Sequence, residues 1–399
     1  MTTSDFAPRL KNRFEQLDRL LTECRWLWGV QPFKEARPQW CDELPGLAHT
    51  LLGLSDADLA EMSANSRRLM RLLAYHAPET APLEALCCLP AHPSTSLNDS
   101  GPRMQWHIPG RKWNQIAAFA GAIGPVHTPV LEWCGGKGHL GRLLASQWDI
   151  PLLSVERDET LCREGQQLAH RFNLPQNFMA ADVYTPDVTA CLSGRHVVAL
   201  HACGHLHRTL IRRAVQMKVP ALDIVPCCYH LGQTGIYRAS WPGAQLELTQ
   251  DDVRIAVTHT ATSALREIKR RDRDMAWKLG YDQLRRDISG EDRYRSMKPV
   301  ESRWLKLGFE GYCRQLAARE SLALSGEVDW QHYERMGWAR QRDVMRLSLV
   351  RQAFRRALEI WLVLDRALYL CEEGYEVSVG TFCAESVTPR NILLSARLG

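Results

Sequence analysis

The sequence predicts an α/β fold: a mostly parallel sheet between helices, preceded by a helical region and interrupted by a helical insertion after the fifth strand. Three observations lead there. From residue 104 onward, short apolar runs alternate with helix-periodic stretches, the pattern of parallel strands joined by helical crossovers. That alternation breaks over residues 231–344 and then resumes. Before residue 104 the apolar spacing is three and four only, which is helical.

Taken in order, RFEQLDRLLTECRWLW and SANSRRLMRLLAYH read as amphipathic helices, and LSDADLAEM opens with a serine N-cap followed by acids. LPAHPSTSLNDSGPRM is rich in Pro, Ser, Asn and Gly and marks a linker, with a boundary at residue 103. RKWNQIAAFAGAI is a helix, and VLEWC, PLLSVERD, FMAADVY, HVVALHAC and ALDIVPCC are successive strands separated by helices. After the helical stretch come one long helix, LSLVRQAFRRALEIWLVLDRALYLCEEG, and two strands, YEVSVGTFC and NILLSARL. Their short connection requires antiparallel pairing. The expected divisions are an N-terminal helical region (1–103), a core (104–232 and 345–399) and a basic helical insertion (233–344).

The 399 residues are 45% apolar and 24% charged, ordinary for a folded globular chain. The polar start has no apolar signal core, and no run is long enough for a membrane span, so a cytoplasmic protein without membrane contact is expected. Thirteen cysteines without a C-x-x-C pair, two pairs of them adjacent, argue against a disulfide framework and for a reduced compartment. Net charge is +5, but residues 254–306 hold fourteen Lys/Arg against eight Asp/Glu. One segment therefore carries the basic character, as a polyanion-facing surface does; a solvated face of mixed charge has the same composition.

The stretch LEWCGGKGHLG (131–141) places a glycine-rich turn between a strand and a helix. Glycines allow a sharp turn and close approach of a ligand, and the helix start presents free N–H groups. The embedded G-x-G-x-x-G alone fits a nicotinamide dinucleotide, and hence an NAD(P)-dependent oxidoreductase. Glu132, ending the first strand, discriminates. A carboxylate repels a pyrophosphate but attracts the sulfonium and ammonium of S-adenosylmethionine. Glu156 ends the second strand, where an acid accepts from both ribose hydroxyls, and Asp182 follows the third, placed to meet the adenine amino group. Taken singly, each acid also suits a helix N-cap, and Gly135 and Gly136 also suit a bare tight turn.

EWCGGKGHLGRLLA, then LHACGHL, PCCYHL and Thr388–Asn391 (TPRN), together resemble the class I S-adenosylmethionine-dependent methyltransferases of the methyltransferase-like twenty-five type. They are similar also to the tRNA 2′-O-methyltransferases that act on the acceptor stem. The likeness covers residues 104–232 and 345–399. It implies a Rossmann-like sheet and S-adenosylmethionine as cofactor, with Glu132, Gly136 and Gly138 at its methionine end, Glu156 at ribose, Asp182 at adenine, and Gly135 and Lys112 also among the cofactor-binding residues. Cys134 departs from the pattern, standing where the usual loop has its first glycine. The zinc module that precedes the tRNA enzyme has no matching Cys/His spacing here.

Two strings are placed to line an acceptor site, HACGHLH and PCCYH. His201 and His230 are candidates to take a proton. Tyr229 is a candidate to stack on a base or orient a hydroxyl. For each histidine a structural role is an equal alternative. His201, Cys203, His205, His207, Cys227, Cys228 and His230 are of zinc-binding type, yet none of the spacings is a zinc pattern and no metal is expected. Pro226–Cys227 echoes the Pro-Cys pair of enzymes that attack a pyrimidine ring, which makes Cys227 or Cys228 a nucleophile candidate. The expected function is methyl transfer to RNA (tRNA or rRNA), held by the basic insertion with Arg270, Arg271, Arg273, Arg285 and Arg286. A protein side-chain acceptor is the alternative, and a non-catalytic scaffold ranks lower.

Overall fold

A computed structural model describes residues 6–258, 265–324 and 327–399. Two compact units share the chain. Residues through Thr22, Ala85–Val257 and Arg356–Gly399 form one; Glu23–Glu84 and Thr258–Arg355 form the other.

The first unit is built on a seven-stranded sheet: β1 (Val130–Trp133), β2 (Leu152–Glu156), β3 (Gln176–Ala180), β4 (His196–Ala199), β5 (Ala221–Ile224), β6 (Tyr375–Thr381) and β7 (Ile392–Leu398). Their order is β3-β2-β1-β4-β5-β7-β6. The first five pair parallel, and β7 runs antiparallel to both β5 and β6. β1, β4 and β5 are buried at every position, which is why they read as mostly apolar runs; their polar members are hydrogen-bonded, Glu132 to Ser154 and His196 to Asp223. Strand order reverses between β1 and β4, so a crevice opens there at the carboxyl ends of the strands.

Helix α1 (Phe6–Glu23) belongs to this unit over most of its length: Phe14 stacks on Trp361 at 5.5 Å, and the Asp18 carboxylate accepts from the Trp361 indole at 3.0 Å. Helix α2 (Gly110–Ile123) precedes β1, and the crossover helices include α3 (His139–Trp148), α4 (Glu159–Arg171) and α5 (His205–Gln216). α4 starts at Asp158, whose carboxylate accepts from Thr160 N and Leu161 N.

The second unit is helical: α6 (Leu265–Ser289), α7 (Gly308–Glu320) and α8 (Trp330–Ala353), with short helices between Pro45 and His76 packed on α8. The expected single long helix is broken at Phe354, after which α9 (Arg355–Glu372) returns to the sheet unit. A two-stranded ribbon, Tyr237–Arg238 with Glu247–Leu248, lies in the stretch read as mostly helical. The compact units thus do not coincide with the divisions at 103, 232 and 344. Amphipathic periodicity says that a helix needs an apolar partner, not which partner it finds. Among the described residues no helix is long and apolar enough to cross a membrane.

Candidate active site at the strand ends

The β1–α3 turn is built around Glu132. Its side chain is only 4% exposed and lies beneath the glycines, accepting from Ser154 Oγ at 2.6 Å and from the Gly141 amide. A Cβ at Gly135 would stand 2.7 Å from the Glu132 carboxylate, and one at Gly141 2.6 Å from it. These two glycines therefore make room for the acid. Gly138 has φ +63, and a Cβ there would collide with Gln176 Nε2 and the Phe178 ring. Gln176 is itself buried and ties β3 to the turn through the Gly138 carbonyl and Ser154 Oγ.

Burial pushes Glu132 up to about 7, against the opposing pull of the Ser154 and Gly141 hydrogen bonds and the charges of Arg142 and Lys112. The carboxylate is thus less negative at neutral pH than its sequence position suggests, and discrimination against a pyrophosphate falls as much on the next two acids. Glu156 is half-buried. One oxygen accepts from the Gly136 amide at 3.0 Å, the other from Arg157 N and Asp158 N. Asp182 accepts from Tyr184 N at 3.0 Å.

Cys134 binds these observations together. Its backbone is left-handed at φ +57, and its thiol is pushed up to about 12 by burial first, then by Glu156, Cys203, Asp182 and Glu132. Cys134 is thus near enough to Glu156, Asp182, Glu132 and Cys203 to feel their charge. Lys112, exposed at the start of α2, acts electrostatically on Glu132, His139 and His201. Sequence reasoning misses Tyr184. It is 46% exposed beside Asp182 and leans on His205 at 6.0 Å between ring centroids. An aromatic residue two places after a strand-end acid is the signal that could have found it.

The β4 and β5 turns form the other wall. His201 Nε2 lies 3.2 Å from Gln115 Oε1, while Gln115 Nε2 donates to the Val387 carbonyl. The amide orientation is therefore fixed, His201 carries its proton on Nε2, and Nδ1 is left as an acceptor. Desolvation and then Lys112 hold His201 below the ordinary histidine value, with Cys228 opposing. Sequence reasoning does not single out Gln115 either, since helix periodicity gives no reason to choose it.

His230 is half-buried, its Nδ1 has no hydrogen-bond partner, and desolvation lowers its pKa. Tyr229 points away from the opening. It is buried, donates to the Pro226 carbonyl at 3.1 Å and is sandwiched by His207 and Arg366. A ring enclosed in this way is not available to stack on a substrate base. His207 is likewise buried, with Nδ1 on the Ala202 carbonyl. Cys203, Cys227 and Cys228 converge, with their sulfurs all within 4.8 Å of one another. Hydrogen bonds from Cys203 and then Cys227 hold Cys228 far below the usual thiol range, and the same contacts push Cys227 up. Arg390, in the TPRN turn, acts on both Cys228 and His230 and donates to the Ala256 and Val257 carbonyls.

Residues 111–234 match the family described as Methyltransferase domain. No curated protein matches the chain. Similar solved structures include the tRNA (uracil-54, C5)-methyltransferase of Pyrococcus abyssi in complex with S-adenosyl-L-homocysteine. It is 18% identical, with 26% of this chain and 25% of that chain covered and a TM-score of 0.22. The CcbJ methyltransferase of Streptomyces caelestis is 18% identical over 35% and 62% of the two chains, TM-score 0.24. The [4+2]-cyclase SpnF is 13% identical over 40% and 59%, TM-score 0.24. The chain spans less than two thirds of each of these. The domain assignment rests instead on the family match, the strand order and the glycine turn. Residues 111–234 thus carry a methyltransferase domain, set in a Rossmann-like sheet whose last two strands lie beyond the matched stretch.

Proposed function

We propose that the protein transfers a methyl group from S-adenosylmethionine to RNA. The cofactor supplies a methyl carbon already activated by its sulfonium. Glu156 holds the ribose hydroxyls through its remaining lone pairs, Asp182 meets the adenine amino group, and Gly136 and Gly138 let the backbone approach the methionine end. Glu132 acts from beneath that loop as a positioning residue, its charge favouring the cationic donor. Lys112 lies at the rim, where a carboxylate or phosphate suits it.

His201 is the proposed base. S-adenosylmethionine bound there would supply a methyl group to an acceptor O–H or N–H and leave as the neutral thioether. The acceptor's proton passes to His201 Nδ1, the nitrogen left free by Gln115. Alignment and this proton are what such a displacement asks of the protein.

The observation that carries the RNA reading is a stripe on α6. Arg266, Lys269, Arg270 and Arg273 are exposed at helical spacing on one face. Arg285 belongs elsewhere: it is 2% exposed and paired with Asp282 at 2.9 Å. Arg286 is held by Asp282 and Asp292, and Arg271 by Asp272. Three of the five arginines expected to meet a polyanion are thus neutralised locally, and the interface narrows to the stripe. The resemblance to acceptor-stem tRNA enzymes favours the same substrate class. Incubation with labelled S-adenosylmethionine, total RNA and cell lysate tests it: label in RNA is expected, and label in protein alone would transfer the reading to side-chain methylation.

A further inference from the structure

Methyl transfer uses none of the chemistry that three converging thiols offer. Cys203 follows β4; Cys227 and Cys228 follow β5. The two turns are locked together. Cys203 and Cys227 form an isolated parallel bridge, Gly204 N donates to the Cys227 carbonyl at 2.9 Å, and His205 N donates to the Leu231 carbonyl at 3.0 Å. Gly204 is required, since a Cβ there would collide with the Leu231 carbonyl oxygen. Cys228 adopts φ +47, a left-handed conformation unfavourable for a side chain with a Cβ. It is the one residue of the turn strained in this way, and with it the Cys228 sulfur joins the other two.

The sulfurs of Cys203 and Cys227 are 3.3 Å apart, and all three lie within 4.8 Å of one another. Three thiolates on a tetrahedral zinc ion, with bonds of about 2.3 Å, sit about 3.8 Å apart. The Cys203–Cys227 separation is about half an ångström short of that value, and no pair of the three exceeds 4.8 Å, so the three sulfurs are close enough to share one ion. A disulfide would join only two of the sulfurs and leave the third without a role. Cys227 is buried, Cys203 and Cys228 are half-buried, and the cluster therefore has one open side.

We propose that Cys203, Cys227 and Cys228 bind one thiophilic divalent cation, zinc, as three thiolates with a fourth, exchangeable position open to the crevice. Binding is not a redox step: each sulfur still protonated gives its S–H proton to solvent as its Zn–S bond forms, so that three thiolates hold the ion. Arg390 beside the cluster offsets the resulting negative charge. Residue spacing does not foretell this site, because its ligands come from two strand ends and follow no recognised zinc pattern. The inference is independent of the acceptor, and its readouts are not activity.

The full chain, purified under reducing conditions without chelator or metal-affinity tag, is assayed for zinc by mass spectrometry. It is then stripped and titrated with Co²⁺. One zinc per chain and a thiolate-to-cobalt charge-transfer band are expected. Cys203→Ser and Cys228→Ser should each lose the band while the far-ultraviolet circular dichroism of the wild type is kept. Cys313→Ser, a buried thiol remote in sequence, should retain it. Absence of both zinc and the cobalt band in wild-type protein with reduced thiols would overturn the proposal. So would a Cys203–Cys227 disulfide found by non-reducing peptide mapping of protein handled without added oxidant.

Discussion

Glu132 joins two opposing demands in one side chain. Burial raises its pKa from 4.5 to about 7, so the folded state holds a proton that the unfolded state releases between those values. Stability from this group is present below pH 4.5 and declines as pH rises toward 7, by on the order of 3 kcal/mol in all. A bound sulfonium or ammonium reverses the preference and favours the carboxylate. S-adenosylmethionine affinity should therefore strengthen as pH rises through about 7 and level off above it. Glu132→Gln should flatten that dependence and raise the melting temperature at pH 8. Calorimetry and thermal melts across pH 5.5–8.5 check both, and a wild-type affinity independent of pH would remove the argument. Glu156 makes contacts of another kind, charge-assisted hydrogen bonds worth about 1.5–3 kcal/mol each. Glu156→Ala should weaken cofactor binding at least about tenfold; unchanged affinity would remove the ribose assignment. His201→Ala should lower kcat by about 10²–10⁴ with little change in cofactor affinity. In Gln115→Ala, the pH dependence of kcat should shift because the Nε2 proton loses its acceptor.

Among the elements, the glycine turn is rigid because three strands and a helix start share it. β1 supplies Glu132, β2 Ser154, β3 Gln176, and α3 the Gly141 amide. Gly138→Ala places a methyl group on Gln176 and Phe178 in a left-handed backbone. It should cost about 2–4 kcal/mol of stability as well as cofactor affinity. A thermal melt matching wild type would mean that the turn relaxes freely. The β4 and β5 turns depend on each other in the same way, through Gly204 and the Cys227 and Leu231 carbonyls. The last two strands need no such support to be read correctly, since a short connection dictates antiparallel pairing.

For the molecule as a whole, charge distribution matters more than the net charge of +5. If the α6 stripe meets RNA phosphates, replacing Arg266, Lys269, Arg270 and Arg273 by glutamine should weaken binding at low salt. It should also make the slope of log affinity against log salt shallower, by about 0.7 for each single-strand phosphate that the variant no longer neutralises. Arg285→Gln should behave differently, lowering the melting temperature and leaving the salt slope alone, because its guanidinium is buried on Asp282. An identical salt slope in wild type and the fourfold variant, measured by filter binding, would remove the stripe from the interface.

Local sequence suffices for the sheet, its parallel strands, the antiparallel ending and the glycine turn, because strand burial and turn chemistry are local properties. It also places three acids at successive strand ends, since α/β alternation sets where each strand stops. Which of the chosen residues share a space is a matter of long-range packing. Tyr229 turns inward, Arg285 vanishes into an ion pair, and Glu132 goes under its loop rather than into the crevice. The helices before residue 85 are likewise divided between two units. Gln115 becomes visible only when α2 meets the β4 turn, and the convergence of Cys203 with Cys227 and Cys228 only when the β4 and β5 turns meet. Side-chain direction, desolvation and the meeting of distant turns are set by packing across the chain, and no local spacing encodes them.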